Sequence, residues 1–268
     1  MGDFLARHLI SLFLILLFAI RLTAQRSTRG DGQLRYFWLT VISCLLLILE
    51  DWLESMASQD PALLYWRIFL SVLGYVLRAT ATVGLVLVVC RPEHRNKWMW
   101  WIPCIIDLLV CSTAFFTDIA FGFDREYHFY RGPLGYVAFI VPIFYLCAIL
   151  FMTFRNYAES RRRSDRLMLI SCALLCLLSS YMDVTHGGVR LHEAILISSI
   201  FFYLFLRSYD VRRDALTSAL NRQSMYDDCA ALDKSICAAA SLDMNGLKVL
   251  NEKEGHRAGD AALKKIGE

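Results

Sequence analysis

The sequence is poor in charge, and none of its long apolar stretches contains a lysine. Only 20% of its 268 residues are charged, against about a quarter in an average soluble domain. Hydrophobic residues make up 57% and the mean hydropathy is +0.44, which excludes a single soluble domain and a disordered chain. A retinal pigment needs a membrane-buried lysine for its Schiff base, so a rhodopsin-like photoreceptor is also excluded. A transporter has no support, because we find no inverted repeat and no paired helices broken by Gly or Pro.

Seven apolar stretches are long enough to cross a bilayer, whose hydrocarbon core of about 30 Å needs roughly 20 helical residues. They are Leu5–Leu22, Phe37–Leu53, Phe69–Cys90, Trp98–Phe116, Pro133–Phe154, Leu167–Val184 and Leu191–Leu206. We therefore predict that residues 1–208 form a polytopic α-helical membrane region with seven transmembrane helices, a sensor region in contact with the lipid bilayer. Residues 209–268 hold nine Lys or Arg and ten Asp or Glu, and we interpret them as a short soluble part.

The positions of Lys and Arg predict the orientation, because these residues stay on the cytoplasmic side near helix ends. The first, third and fifth loops carry twelve of them, and the second, fourth and sixth carry four. The N-terminus is thus predicted outside and the C-terminal part in the cytoplasm, in a multi-pass protein of the inner (cytoplasmic) membrane. A cleaved signal peptide is the alternative for the first stretch, but its loss would put the tail outside, against this count. None of the nine cysteines falls in an outside loop, so no disulfide framework is indicated.

Two charged residues are predicted at membrane depth, where charge is costly and each ionisable group is a functional candidate. Arg78 lies in the middle of the third predicted span and Asp107 in the middle of the fourth. Consecutive helices are usually neighbours, which favours a buried Arg78–Asp107 pair. The pair is either structural or part of a sensing cavity.

A second polar group is predicted near the outer face. Its members end the second span or flank the sixth loop: Glu50, Asp51, Glu54, Asp183, His186, His192 and Glu193. Histidines and carboxylates together bind metal ions or respond to pH. Their spacing matches no defined ligand set, and solvation at the interface is the favoured interpretation.

The C-terminal part follows the last span without a Gly- or Pro-rich linker, so movement of that helix would reach it. Asp214, followed by small and polar residues, predicts a helix start, with an apolar face at Leu216, Leu220 and Met225. The run Ile236–Leu242 predicts a buried strand that ends at Asp243. A further helix is predicted from Gly246 to Glu254, with Gly255 as its C-cap.

Two blocks of this part resemble the GGDEF domains of diguanylate cyclases. Asp214-Ala215-Leu216-Thr217-Ser218-Ala219-Leu220-Asn221-Arg222 is similar to the opening motif D-x-L-T-G-L-x-N-R, with Ser218 and Ala219 in place of Gly and Leu. The second block, D-x-(D/N)-x-(F/L)-K-x-x-N-x-x-x-G-H-x-x-G-D, is matched by Asp243-Met244-Asn245-Gly246-Leu247-Lys248, Asn251 and Gly255-His256-Arg257-Ala258-Gly259-Asp260. The resemblance implies that residues 209–268 are the N-terminal portion of an α/β, ferredoxin-like palm domain.

The resemblance also implies the roles of matching residues. Asp243 would be a catalytic carboxylate that binds Mg²⁺ (or Mn²⁺) together with the Met244 carbonyl oxygen, as suits a hard cation. The GTP-binding residues would be Gly246 and Leu247, through backbone N–H groups, Lys248, through its charge, and Asn251 and Asp260, at the guanine edge. Lys248 is counted among the catalytic residues as well.

In this family, two domains meet as a homodimer and convert two GTP into cyclic di-GMP and two pyrophosphates; no nucleic acid polymer is involved. The GG(D/E)EF hairpin that names the family would follow some tens of residues after Asp260, whereas this sequence ends at Glu268. We therefore expect a membrane-anchored, signal-responsive diguanylate cyclase whose activity requires the remaining half of the domain. The alternative is a seven-helix receptor or regulatory protein with a catalytically inactive GGDEF remnant.

Overall fold

The computed structural model describes residues 2–24, 32–90, 96–156, 163–186, 191–214, 216–230, 238 and 240–267. The chain divides into two compact units, Met1–Phe202 and Tyr203–Glu268. The division predicted between residues 208 and 209 falls in the same helix as the observed one, Leu191–Val211.

The first unit is built from long apolar helices. They are α1 (Gly2–Ala24), α2 (Gly32–Ala57), α3 (Leu64–Val89), α4 (Ile102–Ser112), α5 (Val137–Asn156), α6 (Arg163–His186) and the start of α7 (Leu191–Val211), with short 3-10 turns at Pro61–Leu63, Lys97–Trp101 and Thr113–Phe115. Among the described residues, six helices are long and apolar enough to cross a membrane, counting the turns that extend α3 and α4. They correspond to six of the seven predicted spans. In α6 the apolar stretch is shorter, Leu167–Asp183.

Exposed apolar side chains on these helices distinguish the unit from a water-soluble bundle. In α1, Ile10 is 75% exposed, and Phe13 and Leu16 also face outward. The buried positions of the same helix are His8, Ser11, Ile15, Phe18 and Leu22, spaced alternately by three and four residues as one helical face requires. A surface of this kind is stable in lipid rather than in water. Together with the length and composition of these helices, it indicates an α-helical membrane protein.

Glycine lets α2 and α3 approach closely. A Cβ at Gly84 would lie 2.6 Å from Oγ1 of Thr40, and one at Gly74 would lie 2.7 Å from a carboxylate oxygen of Glu50. Small residues at helix contacts are the usual means of close packing in membranes. Most of α3 beyond Leu70 is buried, so it is the central helix of this unit.

A short antiparallel hairpin lies between α4 and α5, where the sequence predicted only a loop. Its strands are β1 (Phe121–Phe123) and β2 (Phe129–Arg131), with Phe123 opposite Phe129. The Asp124 carboxylate accepts the N–H groups of Glu126 and His128 at 2.9 and 2.8 Å and closes the turn. The ring of Phe121 packs 5.7 Å from that of Tyr75 on α3.

In the second unit, the end of α7 is followed by α8 (Arg222–Ala230), α9 (Leu247–Glu254) and α10 (His256–Gly267). Asp214 does not begin a helix as predicted, because its carboxylate accepts the N–H groups of Leu216 and Thr217 in a local loop. The helix begins only at Arg222. The predicted helix from Gly246 is confirmed at Leu247–Glu254, with Gly246 and Gly255 as its caps.

The predicted strand Ile236–Leu242 lies partly outside the described residues. Its described members, Ala238 and residues 240–242, are not in a strand, and β1 and β2 form the one sheet in the part of the chain that the structure describes. The segment is rich in alanine, which favours strands weakly, and a strand needs a neighbour to complete its backbone hydrogen bonds. The palm sheet that the resemblance implies is therefore not present among the described residues.

Candidate functional site

Ionisable side chains gather at the end of the first unit where α2 ends and α7 begins. We call this group the polar cluster: His8, Glu50, Asp51, Glu54, Arg67, Arg78, Asp183, His192 and Glu193. It contains five carboxylates against two arginines, so with neutral histidines its formal charge is negative. All the described members predicted as an outer polar group belong to it, and the side chain of His186 lies outside the described residues.

Arg78 is the positive centre of one half of the cluster. Its Nη1 lies 3.4 Å from Oδ2 of Asp183 on α6, and the guanidinium stands 5.2 Å from the centre of the Tyr75 ring. Electrostatic interactions also link Arg78 to Glu50 and Glu54 of α2. A charge at this depth is therefore compensated by several neighbouring helices.

The predicted Arg78–Asp107 pair is replaced by the Arg78–Asp183 pair. Asp107 is fully buried and accepts a 3.6 Å hydrogen bond from the Cys111 thiol. Its Oδ2 has no hydrogen-bond partner in the part of the chain that the structure describes. Arg78 still interacts electrostatically with Asp107, but its guanidinium is turned to Asp183 on α6, with which it forms the ion pair.

The hairpin is tied to the same half of the cluster by Arg67. Its Nη1 donates to the Tyr127 carbonyl oxygen at 2.7 Å, and its guanidinium lies 4.4 Å from the centre of the Phe123 ring. The Nε of Arg67 is 3.9 Å from Glu54, which also accepts a hydrogen bond from Ser71 at 3.1 Å. The hairpin is thus held by α3 through one arginine.

The other half of the cluster is built on two buried histidines from α1 and α7. Nε2 of His8 lies 2.9 Å from Oδ2 of Asp51, and the rings of His8 and His192 stack with their centres 5.8 Å apart. Ser11 donates to the Glu193 carboxylate at 3.0 Å. One ring nitrogen of each histidine and a Glu193 oxygen all lie within 4.8 Å of one another. Three helices therefore bring together the side chains of a metal-binding type of site.

His8 and Arg67 are the two members that the sequence analysis missed. Of these, His8 belongs to the half with the buried histidines. It lies in an apolar stretch whose composition does not reveal which face is buried. The helical spacing could have identified it, because His8 and Ser11 lie on the same helix face as the buried Ile15, Phe18 and Leu22. Polar residues of a membrane helix usually face the interior of the bundle.

In the second unit, Asp243 and Met244 lie in the turn before α9. The Met244 N–H donates to Oδ1 of Asp243 at 2.9 Å, and the carboxylate is exposed. Gly246 has a φ of 77° and Leu247 is the first residue of α9. The Lys248 side chain is exposed and lies 4.0 Å from Glu252, one turn further along.

Asn251 and Gly259 join α9 to α10. A Cβ at Gly259 would lie 2.0 Å from Oδ1 of Asn251, so a side chain at this position would displace the Asn251 side chain. Asp260 follows directly and is exposed. Among the residues expected to bind GTP, the structure thus brings Asn251 beside the segment that carries Asp260.

The first motif block connects the end of α7 to the start of α8. Asn221 donates from Nδ2 to the Val211 carbonyl oxygen at 2.7 Å and accepts the Ser224 N–H at 2.9 Å. The Asp214 carboxylate accepts the Thr217 N–H at 2.8 Å and the Thr217 hydroxyl at 2.9 Å. These hydrogen bonds to the ionised form, with the Leu216 N–H, lower the pKa of Asp214.

No family model matches the sequence, and no curated protein or solved structure matches it significantly. Function is therefore inferred from the residues and contacts described above.

Proposed function

We propose that this chain is a membrane-anchored, signal-responsive protein whose second unit is the N-terminal portion of a diguanylate cyclase domain. The domain would act as a homodimer and convert two GTP into cyclic di-GMP and two pyrophosphates. The observation that carries the proposal is the backbone of the second block. Gly246 and Gly255 have φ values of 77° and 85°, and a Cβ at Gly259 would displace the Asn251 side chain. The two glycines of the matched pattern, Gly255 and Gly259, and Gly246 at a variable position of it thus occupy positions that favour glycine.

The turn from Asp243 to Leu247 supports the same proposal. An exposed carboxylate precedes a left-handed glycine and the free N–H groups at the start of a helix, an arrangement suited to a hard cation and phosphate oxygens. Asp243 and the Met244 carbonyl oxygen would hold Mg²⁺ or Mn²⁺, which would neutralise phosphate charge. Lys248 would add positive charge, while Asn251 and Asp260 would select guanine.

In this proposal, the signal passes from the membrane region to the second unit through α7. This helix is continuous from Leu191 to Val211, and Asn221 hydrogen-bonds to its last residue. The excess of Lys and Arg in the odd-numbered loops supports a cytoplasmic second unit and an outside N-terminus. A signal that shifts α7 would therefore reach the motif-bearing loop without a flexible linker.

The test is formation of cyclic di-GMP by membranes carrying the protein expressed from its complete gene. With GTP and Mg²⁺ we expect product from the wild type and none from Asp243→Ala. Glu254→Ala is the matched control, because this carboxylate is also exposed and ends α9 outside the matched positions. Product formation by Asp243→Ala equal to that of the wild type would contradict the assignment.

A receptor with a catalytically inactive GGDEF remnant is the second candidate. It is favoured by the secondary structure of the second unit. The described residues of this unit form helices and one isolated bridge between Arg213 and Leu220, but no strand. This candidate predicts no cyclic di-GMP from wild-type membranes and a cellular response that Asp243→Ala leaves unchanged. The same pair of membranes therefore separates the two functions.

A further inference from the structure

We propose that His8, His192 and Glu193 form a binding site for a divalent transition-metal ion, with Asp51 orienting His8. Zn²⁺ fits this ligand set best, since two imidazoles and a carboxylate are among its usual ligands. The site lies within the first unit, and its existence does not depend on the cyclase proposal.

The hydrogen bonding of the histidines supports metal ligation. His8 is fully buried and His192 is 6% exposed, yet Nδ1 of His8 and Nε2 of His192 have no hydrogen-bond partner among the described residues. A buried ring nitrogen left unpaired costs free energy, unless a ligand occupies its lone pair. Two such nitrogens in stacked rings make a shared ligand the simplest explanation.

Asp51 fixes the protonation of His8. When Nε2 carries the proton and donates to Oδ2 of Asp51 at 2.9 Å, Nδ1 keeps its lone pair for a metal. A carboxylate that orients a ligating histidine in this way is a common feature of metal sites. The Asp51 side chain is 48% exposed, whereas the His8 side chain that it contacts is 1% exposed.

Charge and distance also suit a cation. The polar cluster has more carboxylates than arginines, and Arg78 and Arg67 point at Asp183 and Glu54 in its other half. Ligand atoms around a tetrahedral Zn²⁺ are about 3.3 Å apart. Because the three groups lie within 4.8 Å of one another, binding would draw α1 and the start of α7 together by at most about 1.5 Å. Metal binding would thus move the helix that leads into the second unit.

The experiment uses the full-length protein, purified in nanodiscs, stripped with EDTA and titrated with Co²⁺ as the probe. We expect one Co²⁺ per chain, visible absorption typical of tetrahedral coordination, and displacement by Zn²⁺. His8→Gln and His192→Gln should each abolish this binding at concentrations that saturate the wild type. Asp51→Asn should weaken it about 10- to 100-fold, as expected for a group that orients a ligand.

His128→Gln is the matched control, since this histidine is 73% exposed and also lies near two carboxylates, Asp124 and Glu126. It should bind Co²⁺ like the wild type. The absorption spectrum of the Co²⁺-loaded wild type gives a test that needs no variant. A thiolate charge-transfer band would show that a cysteine binds the ion. Cys44 is one such residue, since its sulfur is 3.9 Å from the His192 carbonyl oxygen. That band, absence of binding by the folded wild type, or full binding by His8→Gln would overturn the proposal.

Discussion

Nη1 of Arg78 lies 3.4 Å from Oδ2 of Asp183, and this ion pair joins α3 to α6. The two side chains are 24% and 11% exposed. Removing one partner of a largely buried pair leaves the other charge uncompensated, which usually costs more than removing both. The pair is therefore a point where α6, whose apolar stretch is the shortest of the long helices, is fixed to the bundle.

Arg78→Met should destabilise the protein by about 3 kcal/mol, because Asp183, Glu50 and Glu54 lose their shared positive neighbour. The double variant Arg78→Met/Asp183→Leu should regain part of this loss. Thermal unfolding in nanodiscs, followed by circular dichroism, measures both. Arg125→Met is the control, since Arg125 is exposed. Strictly additive effects of the two single substitutions would show that the pair contributes nothing.

The contact between Gly84 and Thr40 gives a second prediction. A Cβ at Gly84 would lie 2.6 Å from Oγ1 of Thr40 and 3.1 Å from the Tyr36 carbonyl oxygen, and Thr40 itself donates to the Ala81 carbonyl oxygen at 3.0 Å. Gly84→Ala should therefore force α2 and α3 apart and destabilise the protein by about 1–3 kcal/mol.

Gly84→Val should be worse than Gly84→Ala in the same unfolding assay, because two methyl groups would be added to a Cβ that is already too close to α2. Phe69→Leu, a change at an exposed position of α3, serves as the control. An unchanged melting temperature for Gly84→Val would mean that the helices are not in close contact at this point.

The sequence predicts the apolar helices well but their partners poorly. Length and hydropathy determine where a membrane helix lies, and six of the predicted spans satisfy both criteria in the structure. Which face of each helix is buried is a different question, because an almost uniformly apolar helix has little amphipathic pattern. For that reason His8 was missed and Arg78 was assigned to Asp107 instead of Asp183.

In the second unit, the sequence predicts the glycine caps of a helix, but it does not predict whether a strand finds a neighbouring strand. The caps Gly246 and Gly255 follow from backbone preference alone, and the helix between them is confirmed. The helix start expected at Asp214 was wrong, since a capping residue serves equally well in a loop that closes on Thr217. A strand depends on a partner elsewhere in the chain, so the segment before Asp243 could not be settled by its own composition.

Asp214 gives a prediction for pH dependence. Hydrogen bonds from Thr217 and Leu216 lower its pKa in the folded protein, below the usual value of about 3.9 for an aspartate. The stabilisation is therefore complete above that usual value and is lost as the pH falls through the lower, folded-state pKa. Neutral pH lies well within the stable range.

Thr217→Val removes the hydroxyl donor at 2.9 Å and should raise the pKa of Asp214 toward its usual value. Carbon-13 carboxyl shifts of the labelled full-length protein, followed between pH 2 and 6 as a suitable range about the reference value, measure this change. Thr117→Val, distant in sequence and exposed, should leave the titration of Asp214 unaltered. A pKa that is the same with and without the Thr217 hydroxyl would contradict the role of this hydrogen bond.

Gly259→Ala tests whether the close contact between α9 and α10 requires a glycine at this position. The added Cβ would meet Oδ1 of Asn251 at 2.0 Å, so the Asn251 side chain must leave the contact, and the amides of the less tightly packed α10 should exchange hydrogen faster. Asn251→Ala should restore slow exchange in the Gly259→Ala background, because it removes the clashing atom. Ala261→Leu is the control, since it lies at an exposed position of α10 and should have little effect on the exchange. If Asn251→Ala rescued packing but not GTP binding, Asn251 would have a second role at the nucleotide, as the resemblance implies. Equal exchange in the wild type and Gly259→Ala would instead remove the steric reason for a glycine at this position.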